Sequence, residues 1–264
     1  SVYMNQAKYN EALEHYERAL AINRKVLGEE HEDVAMTLRG MGSVYMNQAK
    51  YSEALEHYER ALAIERKVFG EEHENVAYTL YNMGDLYEKR GKYEDALQHY
   101  KSASAMLLKT RGDEHPDFAM TLDGIAKVYE RQGNYEEALE HCSRALAMKS
   151  KTLGEVHPSV ATTLHIIGSV YDSQGRYEEA LERYECALAL RRQALGEVHP
   201  DVATSLYSVA VVYERQKVQL DEALKHHEQA LAIRLETFGE EHPDVAASLC
   251  HVANYRTYDE KQGR

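Results

Sequence analysis

Apolar residues return at intervals of three and four positions along the chain, which is the spacing of one face of an α-helix. Between residues 9 and 27 this face carries Leu13, Tyr16 and Leu20, and the positions between them are mostly charged or polar. The pattern predicts an amphipathic helix from about residue 9 to residue 27. The helix ends before Gly28, because glycine readily takes the left-handed conformation that closes a helix.

A second type of helix follows, from about residue 32 to residue 47. Its apolar positions are Leu38, Met41 and Tyr45. Later copies begin with His-Pro, and proline suits the first helical position because its missing N–H would be unpaired there. The two helix types alternate, so the chain is predicted to form helical hairpins.

The hairpin recurs with a fixed period. The loop glycines lie 42 residues apart at Gly28, Gly70, Gly112, Gly154 and Gly196, and Gly239 follows after 43 residues. Periods of 20 to 50 residues indicate stacked supersecondary units. Residues 1–38 and 43–80 differ at only five positions, namely 10/52, 23/65, 27/69, 33/75 and 36/78. Such similarity indicates a recent duplication or deliberate design.

The turn inside each hairpin carries a glycine in the middle of the chain, at Gly91, Gly133 and Gly175. These glycines supply a left-handed backbone conformation. Ala7, Ala49 and Lys217 stand at the same position in other copies, so those turns are predicted to be strained or differently shaped. The segment 217–220 also holds the one-residue insertion, where we predict a break in the repeat register.

The amino-acid composition argues against several classes of binding partner. The net charge is −13, from 44 acidic and 31 basic residues. This balance argues against nucleic acid and against anionic membrane surfaces, both of which bind basic faces. Cys142, Cys186 and Cys250 are odd in number and have no CxxC spacing, which favours a reducing compartment and a cytoplasmic location.

The chain shows no phosphate-binding loop, dinucleotide fingerprint or nucleophile elbow, so we expect no catalysis and no cofactor. A histidine recurs in each loop between hairpins, and the set is His31, His73, His115, His157, His199 and His242. Packed helices lie about 8–10 Å apart, too far for successive copies to share one ion, so these histidines are interpreted as loop caps and not metal ligands. The adjacent pair His226 and His227 is interpreted as no site, because neighbours on a helix point to different sides.

One copy displays the family pattern most completely. It reads Leu80, Met83, Gly84, Tyr87, Gly91, Tyr93, Ala96, Tyr100 and Ala103. This order resembles the tetratricopeptide repeat, and the eight-residue extension resembles the 42-residue repeats of kinesin light chains. The resemblance covers nearly the whole chain. It implies an all-α fold, a right-handed superhelical solenoid of stacked antiparallel helix pairs.

The resemblance also implies a domain plan. Residues 1–264 would form a single solenoid of about six repeats, cut from a longer array. Residues 1–5 would be the tail of a truncated helix, and the last helix would lack its hairpin partner. In kinesin light chains an asparagine early in the first helix of a repeat holds a peptide backbone, and Asn82 is the residue here that matches it.

The first helix of each repeat lines the concave surface in such solenoids, which implies a binding groove. Its predicted residues mix aromatic and basic side chains, the types that most often anchor interfaces. They are Met36, Arg39, Tyr78, Tyr81, Asn82, Lys89, Met120, Lys127, Arg131, His165, Tyr207 and Arg215. The alternative is an ordinary solvated inner face, whose basic residues pair with Asp85, Glu88, Asp123 and Glu130.

The resulting hypothesis is a non-catalytic scaffold that binds peptide segments of partner proteins in the groove. The predicted ligand has an apolar anchor near Tyr78 and Tyr81 and acidic residues near Lys127 and Arg131. By resemblance the partners include cargo adaptors of microtubule motors, which implies association with the cytoskeleton. The competing hypothesis is a structural spacer or self-assembling solenoid that docks onto another copy through its ends or its groove.

Overall fold

A computed structural model describes the backbone of residues 6–240 and 242–262, and the side chains of residues 9–240 and 242–255. The predicted helix tail at residues 1–5 lies outside this part. The described residues form twelve α-helices and no strand: α1 (Gln6–Leu27), α2 (Glu32–Asn47), α3 (Tyr51–Phe69), α4 (Glu74–Lys89), α5 (Tyr93–Arg111), α6 (Pro116–Arg131), α7 (Tyr135–Leu153), α8 (Pro158–Ser173), α9 (Tyr177–Leu195), α10 (Pro200–Gln216), α11 (Leu220–Phe238) and α12 (Pro243–Gln262). The all-α fold class is confirmed.

The contacts divide the chain into two compact units, residues 1–148 and 149–264. In the first unit, α2 packs against α3 and α4 packs against α5. In the second unit, α8 packs against α9 and α10 packs against α11. Short turns join the members of each pair, so the helices run antiparallel. The prediction of one continuous solenoid over residues 1–264 stays a prediction.

The loop histidines cap the helices that follow them. In each case Nδ1 of the ring accepts a hydrogen bond from the backbone N–H two residues later, at 3.1–3.2 Å. The bond satisfies one of the unpaired N–H groups at a helix N-terminus. Two rings also stack on the end of the preceding helix, Phe69 on His73 and Phe238 on His242, with centroids 4.2 Å apart. The interpretation of these histidines as loop caps is confirmed.

The turns within the hairpins show that the left-handed position is needed even without glycine. Gly91 has φ +70°, and Ala49 and Lys217 take the same region at φ +58° and +57°. Gln219 adds a further left-handed residue at φ +48°, in the segment where the register was predicted to break. Ala7 is different, because it lies inside α1, which begins earlier than predicted.

Helices α3, α5 and α9 each place a tyrosine ring against the backbone of an even-numbered helix. Tyr58, Tyr100 and Tyr184 are buried at this position. A Cβ added to Gly84 would lie 2.7 Å from the Tyr100 ring, and one added to Gly124 would also lie 2.7 Å from it. The ring of Tyr100 is therefore held between α4 and α6, which approach it closely only because both residues are glycine.

Replacing Gly84 by alanine is expected to lower the free energy of unfolding by about 1–3 kcal/mol, the usual cost of overpacking a core. The ring cannot retreat, because Gly124 closes its other side. Urea unfolding followed by circular dichroism measures the effect. In a Tyr100→Val background the same substitution should cost nothing, and an unchanged cost there would contradict the packing argument.

Candidate functional site

The twelve predicted groove residues all lie on even-numbered helices. The first unit holds Met36 and Arg39 on α2, Tyr78, Tyr81, Asn82 and Lys89 on α4, and Met120, Lys127 and Arg131 on α6. The second unit holds His165 on α8, and Tyr207 and Arg215 on α10. A functional role for these residues stays a prediction. Their contacts are described below within each unit.

Three of the predicted residues meet at one cavity in the first unit. The cavity has a volume of about 500 Å³ and is lined by Tyr16, Ala19, Asn23, Met36, Thr37, Arg39, Gly40, Ser43 and Asn82. Its walls come from α1, α2 and α4. Met36 is a large apolar side chain that is 57% exposed at this cavity.

The cavity combines apolar walls with amide groups. The Asn82 side chain makes no hydrogen bond to the described part of the chain, and it is half-buried. Asn23 donates a long hydrogen bond of 3.4 Å to the hydroxyl of Thr37. An amide that is partly shielded from water and has no protein partner can bond to both the N–H and the C=O of a ligand backbone.

Arg39 is held by a polar network beneath the cavity. Its guanidinium donates to Oε1 of Glu65 at 2.8 Å and to the backbone oxygen of Asn75 at 3.3 Å. Thr79 donates its hydroxyl to Oε2 of Glu65 at 2.6 Å. Glu65 is only 1% exposed, so its carboxylate depends on these donors. Burial raises the pKa of Glu65, and the bonds from Thr79 and Arg39 oppose that rise.

The equivalent position in the second unit is occupied by a cation. Arg191 donates to Ser205 and to the backbone oxygen of Asp201, at 2.6 and 3.1 Å. Arg234 makes the same two bonds, to Ser248 and Asp244. On α3 in the first unit the acidic Glu65 stands there, so the cation that reaches the loop carbonyl of Asn75 comes from Arg39 instead. The predicted groove residue Arg39 therefore has a structural role.

The two tyrosines predicted as an anchor site face different surroundings. Tyr78 donates its hydroxyl to Asp117, and burial together with that carboxylate raises its pKa to about 12. Tyr81 packs against Tyr100 with ring centroids 5.3 Å apart. Burial, followed by the nearby carboxylates Asp85 and Asp123, raises the pKa of Tyr81 well above its usual value. Both rings therefore pack partly against the hydrophobic core.

Besides Arg39, two more of the predicted basic residues are paired with acids of the protein. Arg131 lies 3.8 Å from Glu88, and Arg215 lies 2.6 Å from Asp172. Lys127 is half-buried, and its charge opposes the rise that burial causes in the pKa of Asp85. Lys89 is exposed and makes no ion pair with the described residues. The alternative interpretation, a solvated inner face whose basic residues pair with acids such as Glu88, therefore holds for Arg131.

The remaining predicted residues also contact neighbouring side chains. Met120 is half-buried on α6. The ring of His165 lies 4.8 Å from that of Tyr184. The hydroxyl of Tyr207 lies 2.9 Å from Nε2 of His251, and the Arg234 guanidinium lies 4.8 Å from the Tyr207 ring centre.

Sequence reasoning missed a cluster in the second unit. Glu214, His227 and His251 come from α10, α11 and α12, and their possible ligand atoms lie within 4.8 Å of one another. The interpretation of the pair His226 and His227 as no site overlooked that His227 alone turns inward. A signal was present, because His227 stands where four of the other five copies carry a tyrosine.

No helix in the described part of the chain is long and apolar enough to cross a membrane. The exposed large apolar residues are spread over several helices and loops of the described part, with Val26, Ile22 and Met36 the most exposed among them.

Comparison with known families and structures identifies the class of protein. A tetratricopeptide repeat model matches residues 1–64, 33–109, 117–193, 173–217 and 201–262, and a second one matches residues 81–151. The chain belongs to the tetratricopeptide repeat family. This membership supports a protein-interaction scaffold, since stacked repeats of this kind present extended binding surfaces. None of the curated proteins matches the chain.

Solved structures give more particular similarities. Nearly identical TPR-like repeats of a candidate kinesin light chain from Podosopora anserina are 26% identical, with a TM-score of 0.58, covering 78% of this chain and 98% of that one. BtubC (BKLC) from P. vanneervenii is 17% identical, with a TM-score of 0.67 and coverage of 86% and 91%. NprR in complex with its cognate peptide NprX is 18% identical, with a TM-score of 0.72 and coverage of 92% and 68%. The last two show likeness of fold.

Proposed function

We propose that this chain is a non-catalytic scaffold that binds a peptide segment of a partner protein at the cavity between α1, α2 and α4. The observation that carries the proposal is the combination of an exposed Met36 with an unbonded Asn82 amide at one cavity of about 500 Å³. Such a site offers apolar contact for a side chain and hydrogen bonds for a backbone.

The cavity selects the type of peptide. Tyr16, Ala19 and Met36 favour an apolar anchor side chain, which gains free energy by leaving water. Asn82 would hold the backbone on either side of that anchor, as its match to the kinesin light chain asparagine implies. We therefore propose the anchor nearer to Met36 than to Tyr78 and Tyr81, because the rings of both tyrosines pack against neighbours.

Acidic residues of the peptide form the second element of the proposal. Arg39 and Arg131 already have acidic partners, so Lys89 on α4 is the predicted cation with the most charge to offer, while Lys127 on α6 is shared with the buried Asp85. An acidic side chain beside them would bind more weakly at high salt, because screening reduces the attraction between exposed charges. The strongly negative net charge of the chain limits this contribution.

The relatives support the proposal. NprR was solved with its cognate peptide, and this chain covers 68% of that structure. The kinesin light chain resemblance supports cargo adaptors of microtubule motors as partners, in the cytoplasm and near the cytoskeleton. The competing function is self-assembly, with another copy of the chain docking at the ends or at the cavity.

A selection from a displayed peptide library tests the proposal. Met36→Asp is expected to weaken the selected peptides at least tenfold, because it puts a charge where the anchor is buried. Asn82→Ala is expected to weaken them about fivefold, the value of one backbone hydrogen bond. Val26→Asp is the matched control, since Val26 is 71% exposed on α1 but does not line the cavity.

The outcome separates the two functions. If Met36→Asp and Val26→Asp bind the selected peptides equally well, the cavity is not the site and the proposal fails. If no peptide is selected, and the size of the chain in solution rises with concentration, self-assembly is the better function. Circular dichroism melting curves establish that each variant remains folded.

A further inference from the structure

One carboxylate and two imidazole side chains, those of Glu214, His227 and His251, lie close together near the end of the second unit. Oε1 of Glu214 lies 3.1 Å from Nε2 of His227 and 3.3 Å from Nδ1 of His251. The two imidazole rings stack with centroids 4.8 Å apart and an angle of 23°. The carboxylate and both rings are thus held by three successive helices, α10, α11 and α12.

The repeat register shows that both histidines are departures from the pattern. His227 occupies the position of Tyr16, Tyr58, Tyr100, Cys142 and Tyr184. His251 occupies the position of Gly40, Asn82, Gly124, Ile166 and Ser208. Only in this copy do two imidazoles replace the packing residues on facing helices, and they do so opposite an acidic residue.

The buried histidine is not fully satisfied by the protein. His227 is 0% exposed, and its Nε2 faces Glu214. Its Nδ1 is buried and has no hydrogen-bond partner in the described part of the chain. A neutral imidazole buried with one bonded nitrogen is costly when a tyrosine, as in most other copies, would avoid that cost.

The surroundings prepare His251 to act as a ligand. The hydroxyl of Tyr207 lies 2.9 Å from Nε2 of His251, so it can accept an N–H there once Nδ1 turns its lone pair to an ion bound between it and Glu214. Partners of this kind fix the tautomer and the orientation of ligating histidines. A cavity of about 520 Å³ lies alongside, lined by Glu214, Lys217, Leu220, His251, Asn254 and Tyr255.

We propose that Glu214, His227 and His251 form a binding site for a divalent transition-metal ion of the zinc class. Ligand atoms in a tetrahedral zinc site, each about 2.0–2.1 Å from the ion, lie about 3.3 Å from one another. The two carboxylate-to-imidazole distances of 3.1 and 3.3 Å match this spacing, and all three ligand atoms lie within 4.8 Å of one another. Two imidazoles and one carboxylate suit zinc, cobalt or nickel, whereas magnesium and calcium prefer oxygen ligands.

The cavity defines the fourth coordination position. Three protein ligands leave one position of a tetrahedral ion open, and the cavity beside Glu214 and His251 has room for water or for a donor from a partner. The ion would join α10, α11 and α12 at one point. Metal binding should therefore raise the thermal stability of the last helices.

Titration of the whole chain with Co²⁺, and with Zn²⁺ against a chromophoric chelator, tests the site. One equivalent of Co²⁺ is expected to give the visible bands of a tetrahedral complex, and Zn²⁺ is expected to displace it. Glu214→Gln and His251→Ser are expected to weaken binding at least 100-fold. His251→Ser should fold, because serine occupies the equivalent position at Ser208. Tyr207→Phe is expected to weaken binding about tenfold.

Two controls distinguish this site from other donors of the chain. His226→Gln removes the neighbouring imidazole, whose Nδ1 contacts the Glu222 carbonyl, and Cys250→Ala removes the exposed thiol next to His251. Both variants should bind like the parent. The proposal is overturned if the parent binds no Co²⁺ or Zn²⁺, if either control abolishes binding, or if Glu214→Gln and His251→Ser bind as tightly as the parent.

Discussion

Replacing Arg39 by leucine is expected to lower the free energy of unfolding by about 3–5 kcal/mol at neutral pH, the usual cost of removing one partner of a buried ion pair. Glu65 would remain buried at 1% exposure with only the Thr79 hydroxyl to bond its carboxylate. The backbone oxygen of Asn75 would also lose the Arg39 donor. Urea unfolding followed by circular dichroism measures the loss.

The pH dependence of this variant follows from Glu65. Burial already raises its pKa above the usual 4.5, and Arg39 opposes that rise, so removing Arg39 raises the pKa further. A carboxyl group with a higher pKa in the folded state takes up a proton on folding, which favours the folded state as the pH falls. The gap between parent and variant should therefore be largest at pH 7 and narrow towards pH 5.

A double replacement provides the matched control. In the next repeat Leu107 occupies the position of Glu65 and is fully buried, so leucine fits there without a cation. The variant with both Arg39→Leu and Glu65→Leu is expected to recover most of the lost stability, to within about 1–2 kcal/mol of the parent. A double variant as unstable as Arg39→Leu alone would show that Arg39 acts through packing and not through Glu65.

Replacing Tyr100 by alanine is expected to cost about 3–5 kcal/mol, the upper range for large-to-small changes in a core. The ring is fully buried between Gly84 and Gly124, which cannot fill the space it leaves because they have no side chains. Its hydroxyl also donates to Asp85, whose pKa burial raises and this bond lowers. Asp85 would therefore lose a donor as well.

The equivalent position in the next repeat serves as the control. Cys142 is buried there, and the Cys142→Ala substitution removes only a sulfur atom, so a cost of about 1 kcal/mol is expected. If the two substitutions lower the free energy of unfolding equally, the repeat closes the space left by the Tyr100 ring, and the packing argument is contradicted. The comparison uses the same method, urea unfolding of the whole chain.

Local signals in the sequence located the helices well. The helix predicted at about residues 32–47 is α2, Glu32–Asn47, because His31 and the following residues carry their own capping chemistry. The start of α1 was predicted at about residue 9, whereas the described helix already includes Gln6 and Ala7. The left-handed conformation of Ala49 and Lys217 followed from their place in the repeat and not from residue type.

Side-chain partners across helices were harder to foresee. Arg39 was predicted to line a groove, and it is engaged by Glu65, 26 residues away in the chain. Glu214 and His251 are 37 residues apart, and nothing on either helix alone shows that the two side chains meet. The substitution of tyrosine by His227 was visible in the repeat pattern, but the direction and depth of its ring were not.

The sequence by itself determined the repeat, the alternation of two helix types and the membership of an all-helical family, because these depend on periodicity and on caps within a few residues. Only the tertiary structure decided which polar residues pair, which cavity combines Met36 with Asn82, and that Glu214 meets His227 and His251. These facts depend on helix packing, which brings together residues that are distant along the chain.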